Sequence, residues 1–116
     1  MQLAFEPKGP ILVLRILENQ IGADTADAFR SKVLGLMPRE GARIALDLSS
    51  VGFLDSSGLG ALVSLLKLVR PTGELVLFGL KPSVQEILRL THLDSVFVSA
   101  TTEDAALALF SKAATA

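Results

Sequence analysis

Hydrophobic and polar positions along this chain fall into short runs punctuated by Pro and Gly, and the period of each run predicts an element. Leu3 to Glu6 is a short apolar–polar segment ended by Pro7, with Gly9-Pro10 as turn chemistry. Ile11 to Leu17 is a branched, apolar run that pairs with the first segment as a hairpin. Asp24 is placed to cap a helix beginning at Thr25, with Ala26, Phe29, Val33 and Met37 on one face and Pro38 and Gly41 ending it. Arg43 to Leu48 is short and mostly apolar, as expected of a strand covered on both faces.

The second half repeats the alternation. Ser56 or Ser57 opens a helix running to about Arg70, where Pro71 and Gly73 stop it. Its apolar residues (Leu59, Leu62, Val63, Leu65, Leu66, Leu68, Val69) wrap most of the circumference, the pattern of a largely buried helix or of one with an exposed apolar stripe. Glu74 to Phe78 is a further strand, and Pro82 suits the first turn of a third helix with Val84, Ile87, Leu88 and Leu90 inward. Val96 to Val98 is a short last strand, followed from Thr102 or Glu103 by a helix carrying Ala106, Leu109 and Phe110. Ala113 to Ala116 is a small-residue tail expected to fray. The expected fold is α/β, a mixed, mostly parallel sheet of about five strands with four helices in the order β-β-α-β-α-β-α-β-α.

Composition narrows the function classes. At 116 residues the chain is expected to form a single domain, residues 1–116, since halving it would leave pieces too small to bury a core. Half the residues are hydrophobic, and the only aromatics are six Phe, so the interior is built from aliphatic side chains. Eleven Lys plus Arg against twelve Asp plus Glu, scattered along the chain, leave no footprint for nucleic acid or an anionic membrane. Without cysteine there are no disulfides, thiolate metal sites or thiol nucleophiles. The N-terminus resembles no secretory signal, and the charge-free stretch from Ser56 to Leu66 is far short of the roughly 20 apolar residues that span a bilayer. A cytoplasmic protein needing neither metal nor cofactor is expected.

The informative place follows the strand ending at Leu48. Ser49-Ser50-Val51-Gly52-Phe53-Leu54 leads into Asp55-Ser56-Ser57-Gly58-Leu59-Gly60. Two glycines in the first turn of a helix cost about 1 kcal/mol each relative to Ala, so something other than propensity selects them. Either they permit close packing against the sheet, with Asp55 or a serine as cap, or they leave backbone N–H groups open to a partner or an anion. A serine displayed there sits at the positive end of the helix dipole, which would stabilise an added phosphate. Asp47, inside the preceding strand, points either to the strand end near this motif or to solvent at a sheet edge.

Asp55-Ser56-Ser57-Gly58-Leu59-Gly60, after Ala45-Leu46-Asp47-Leu48 and before Ala61-Leu62, resembles the signature of STAS domains, in particular the anti-sigma factor antagonists. Leu75-Val76-Leu77-Phe78, Pro82-Ser83-Val84 and Leu90-Thr91-His92-Leu93 are similar to the family elements that follow, so the likeness runs from about Ile11 to Phe110. The resemblance implies that Ser57, rather than Ser56, accepts phosphate from an anti-sigma factor with serine kinase activity, and that a serine phosphatase reverses the step. It also implies that the unphosphorylated antagonist binds the anti-sigma factor and frees the sigma factor, with Asp24, Asp55, Ser56, Ser57, Gly58, Leu59 and Gly60 as partner-binding positions. The family commonly has Gly-Glu-Leu-Asp before the first helix, where this chain has Asn19-Gln20-Ile21-Gly22; Asp24 is the nearby acid that could substitute. His92 stands where the family often has a glycine, and His tolerates the left-handed region.

An enzyme is not expected. His92 is the only histidine and ends another helix, some 35 positions after Ser57, where it suits the helix dipole better than a general base. Gly58-Leu59-Gly60 lacks the Gly-x-x-x-x-Gly-Lys pattern of a phosphate loop, and Lys67 lies about 15 Å along the helix from Ser57. The rival to a phosphorylated switch is a STAS scaffold or sensor subunit of the stressosome or transport-associated kind, working without phosphorylation.

Overall fold

The computed structural model describes residues 2–36, 40–70 and 72–110. β1 (Leu3–Lys8) and β2 (Ile11–Ile16) form an antiparallel hairpin across Gly9-Pro10, with Gly9 at φ 62°, the left-handed first position that a II′ turn requires. β4 (Arg43–Asp47), β6 (Glu74–Phe78) and β7 (Val98–Ala100) then add in parallel, giving the sheet order β1-β2-β4-β6-β7. This is the expected mixed sheet of five strands with four helices. Two further strands were not foreseen: β3 (Gln20–Ile21) and β5 (Phe53–Leu54) pair in parallel as a separate two-residue ladder.

Side-chain alternation gives the sheet two unequal faces. Leu14, Ile16, Ile44, Leu46, Leu75 and Leu77 point to the larger core beneath α1 (Ala26–Leu36), α2 (Ser56–Val69) and α3 (Pro82–Leu90). Ile11, Val13, Ala45, Val76 and Phe78 point the other way, where Ala106 of α4 (Glu103–Ala108) and Phe110 cover them. The all-round apolar α2 is mainly core: Leu62, Leu65, Leu66 and Val69 are buried, and Leu68 is exposed.

Several boundaries shift for local reasons. The last strand is Val98–Ala100 rather than Val96–Val98, because the N–H groups of Val96 and Phe97 turn back to the Leu93 carbonyl and Phe97 plugs the larger core. In α3, Leu90 is exposed rather than inward: two residues past buried Leu88, it lies on the opposite side of the helix. Leu109 is likewise exposed, because α4 ends at Ala108. The helix after Asp24 starts at Ala26, one residue later than expected. Met37, Pro38, Pro71 and Ala113 to Ala116 lie outside the described residues.

Asp47 reaches neither the motif nor a sheet edge. It lies on the central strand β4, on the face covered by α4, where Arg15 Nη1 donates to it at 3.3 Å. Arg15 also pairs with Glu103 at 2.6 Å and Glu6 at 3.0 Å, and Lys8 donates to Glu103. This cluster ties the first residue of α4 to the β1–β2 hairpin. Hydrogen bonds from Arg15 and Lys8 hold the Glu103 carboxyl down at about 2.

The end of α3 follows the family departure at His92. His92 adopts φ 60°, its N–H bonds the Arg89 carbonyl, and Leu93 N–H bonds the Leu88 carbonyl, which together form a Schellman motif. Replacing His92 by Gly removes the left-handed penalty and should stabilise the domain by roughly 0.5 to 1 kcal/mol, about 2 to 4 °C in a thermal melt. Glu103 gives a pH prediction. Its folded pKa is depressed from 4.5, so its contribution is complete above 4.5 and is lost as pH falls towards about 2. Urea titrations over that window should show wild type losing stability more steeply than Glu103→Gln.

Candidate functional site

The site is assembled where two distant turns meet. Gly52 N–H bonds the Asn19 carbonyl at 2.7 Å and Asp55 N–H the Ile21 carbonyl at 3.4 Å, framing the β3–β5 ladder. Asp55 then caps α2: its backbone is extended (φ −89°, ψ −174°) and its Oδ1 accepts the Gly58 N–H at 3.0 Å. The other carboxylate oxygen, Oδ2, accepts the Ala23 N–H at 3.3 Å. One side chain therefore binds the start of α2 and the turn into α1.

The glycines have separate physical reasons. A Cβ on Gly58 would lie 2.1 Å from the Ile21 carbonyl oxygen, so only glycine lets α2 approach β3 this closely. Gly58 is buried, and its place in the site is internal rather than on a partner-facing surface. A Cβ on Gly60 would meet nothing within 4 Å, so packing does not select that glycine. At Gly22 a Cβ would stand 2.8 Å from Asp55 Oδ2 and 3.6 Å from Asp24 Oδ1. A side chain at position 22 would displace the free end of Asp55 from its present place.

Because Asp55 is the cap, neither serine hydroxyl has a hydrogen-bond partner among the described residues. Ser56 is exposed. Ser57 is half-buried at the wall of a groove of about 330 Å³ between α1 and α2, lined by Ser57, Gly60 and Ser64 on one side and Ala23, Asp27 and Arg30 on the other. Leu59 is half-buried and packs against the larger core. Asp24 does not cap α1. The Thr25 and Ala26 N–H groups both turn to the Gly22 carbonyl, and Thr25 Oγ1 accepts the Gly22 N–H at 3.0 Å, which leaves Asp24 exposed beside the Asp55 carboxylate.

Two neighbours of the motif were missed from the sequence. Ser83, at the start of α3, donates its hydroxyl to the Gly52 carbonyl at 2.8 Å and pins the loop before β5. Phe53, two residues before the cap, is 53% exposed. The Pro82-Ser83 pair signalled a helix start and nothing about its target, and a lone Phe in a two-residue strand has no periodicity to read. Among the described residues no group of His, Asp or Glu is arranged to hold a metal ion, and no helix is long and apolar enough to cross a membrane.

A five-stranded mixed sheet with four helices and a serine-bearing helix start after its central strand is the arrangement of STAS domains. The STAS domain family model matches residues 2–106, and the chain belongs to that family. It is 33% identical over 78 residues to the anti-sigma-B factor antagonist of Listeria monocytogenes, which covers 66% of this chain and 68% of that protein. An anti-sigma factor antagonist from Mycobacterium paratuberculosis superposes with a TM-score of 0.82 at 25% identity, covering 94% of this chain and 92% of its own. SpoIIAA of Bacillus in its phosphorylated form has the same fold, with a TM-score of 0.63 at 19% identity over 90% of this chain and 96% of its own.

The glycine contrast is directly testable by chemical denaturation. Gly58→Ala should destabilise the domain by about 2 kcal/mol or more through overpacking against Ile21. Gly60→Ala should stabilise it by about 1 kcal/mol, because the helix gains propensity with nothing displaced.

Proposed function

We propose that this protein is an anti-sigma factor antagonist acting as one STAS domain, whose unphosphorylated form binds an anti-sigma factor with serine kinase activity and so releases a sigma factor. Phosphorylation of Ser57 switches that binding off, and a serine phosphatase restores it. The observation that carries this reading is the division of labour at the start of α2: Asp55 caps the helix and leaves the Ser57 hydroxyl unbonded at a groove mouth. The relatives named as antagonists, and a neighbour solved in a phosphorylated form, support it.

The physics accounts for a switch that leaves the fold intact. Phosphate brings a charge of about −1.5 to −2, and the N-terminal end of α2 tolerates negative charge. A partner seated over Phe53, Asp55, Ser56 and Gly60 would meet a hydrated dianion where it had met a hydroxyl. Asp24, exposed beside Asp55, supplies the acid at the partner-facing edge that position 22 lacks. The domain itself catalyses nothing in this scheme: the kinase transfers the ATP γ-phosphate to Ser57 Oγ, and ADP leaves.

Incubation with the cognate kinase and ATP should place one phosphate on the peptide holding Ser56 and Ser57, at Ser57 by fragmentation mass spectrometry. No phosphate at either serine, with a kinase active on another substrate, would favour the scaffold or sensor role. Ser57→Asp should weaken anti-sigma binding in calorimetry at least about tenfold, roughly 1.4 kcal/mol, with far-UV dichroism and melting unchanged. Ser57→Ala should bind normally and resist inactivation by ATP.

A further inference from the structure

We propose that Arg30 of α1 receives the phosphate on Ser57, drawing it into the α1–α2 groove; this rests on phosphorylation of Ser57. Ser57 and Arg30 line the same groove from opposite helices. Asp55 ties Ala23 to the first turn of α2, so both helices start at one end of that groove. Arg30 lies one turn beyond Ala26 in α1, and long helical side chains lean towards the helix N-terminus. A guanidinium extended in that direction reaches towards the end where Ser57 stands.

Arg30 is exposed and has no ion pair or hydrogen bond among the described residues. Among the described residues it is the only cation lining the groove. The other charged residue lining this space is acidic, Asp27 on α1, and the Asp55 carboxylate holds the turn at which the two helices start. A guanidinium forming two parallel hydrogen bonds is the group in this groove that can hold a phosphate dianion. The open space beside Gly60, unexplained by packing, leaves room for the guanidinium and phosphate to meet. Phosphorylation then changes more than charge, because it fills and ties shut a groove between two helices.

The test uses the full chain with phosphoserine installed at position 57 by genetic-code expansion, so it needs no kinase. Phosphorus NMR follows the second ionisation of the phosphate, near pH 6 in a free phosphoserine. With Arg30 present the dianion is favoured. Arg30→Ala and Arg30→Gln should each raise the apparent pKa by at least about half a unit, roughly a threefold change in proton affinity, and Arg30→Lys should recover part of it. Identical titrations in the parent and both neutral variants would overturn the assignment, as would a shift in Arg30→Ala alone, which would report an altered helix. Failure of a kinase to phosphorylate Ser57 would count against the switch and leave this titration unaffected.

Discussion

The site depends on one carboxylate with two duties. Asp55 accepts an N–H from each of two helix-entry segments that lie far apart in sequence, Gly58 in α2 and Ala23 before α1. Its neighbours are constrained in turn. A side chain at Gly22 would push on the free end of the carboxylate, and one at Gly58 would strike the backbone of β3. Thr25 takes over at the entry to α1, where the sequence pattern pointed to Asp24. A capping residue that also bridges two elements fixes the separation of the groove walls, so local helix chemistry and the geometry of the proposed interface rest on the same two hydrogen bonds.

The stabilising mass lies elsewhere. The larger core joins three helices to the sheet face carrying Leu14, Leu46 and Leu77, and none of those side chains takes part in the motif. On the opposite face Ala106 and Phe110 cover the sheet, and the Arg15–Glu103–Lys8 cluster ties the start of α4 to the hairpin. Leu14, Leu46 and Leu77 lie away from the groove, which meets the larger core only at Ala26 and Ala61, so the proposed charge at Ser57 would leave the interior in place. Mostly aliphatic packing suffices for this division, because the site needs a rigid platform rather than buried polar chemistry.

Strand and helix succession was legible because apolar periodicity switches sharply from element to element, from Ile11–Ile16 to Phe29 and Val33 and back to Ile44–Leu46. Punctuation was equally plain at Gly9-Pro10 and Pro82, and the left-handed tolerance of His92 could be anticipated from its residue type. Tertiary pairings of short segments could not be read. Gln20–Ile21 and Phe53–Leu54 have too few residues for a period, and their pairing exists only because the intervening elements bring them together. The partners of Asp47 and Ser83 were hidden for the same reason: a side chain's residue type does not reveal which distant backbone or cation it will meet. At the motif, the sequence showed two costly glycines but could not separate the one packed against Ile21 from the one facing open space.

The β3–β5 ladder has a consequence for the order in which this molecule is built. It joins two-residue segments and closes a loop of roughly 30 residues, so its entropic cost falls due before much contact energy is returned. Such a pairing is expected to form only after α1 and β4 have brought its ends together, and to reopen ahead of the main sheet. The proposed recognition surface is then completed last on the folding route. A nascent or partly unfolded chain would lack it, and a partner of the proposed kind would in effect be reading whether the domain has finished folding.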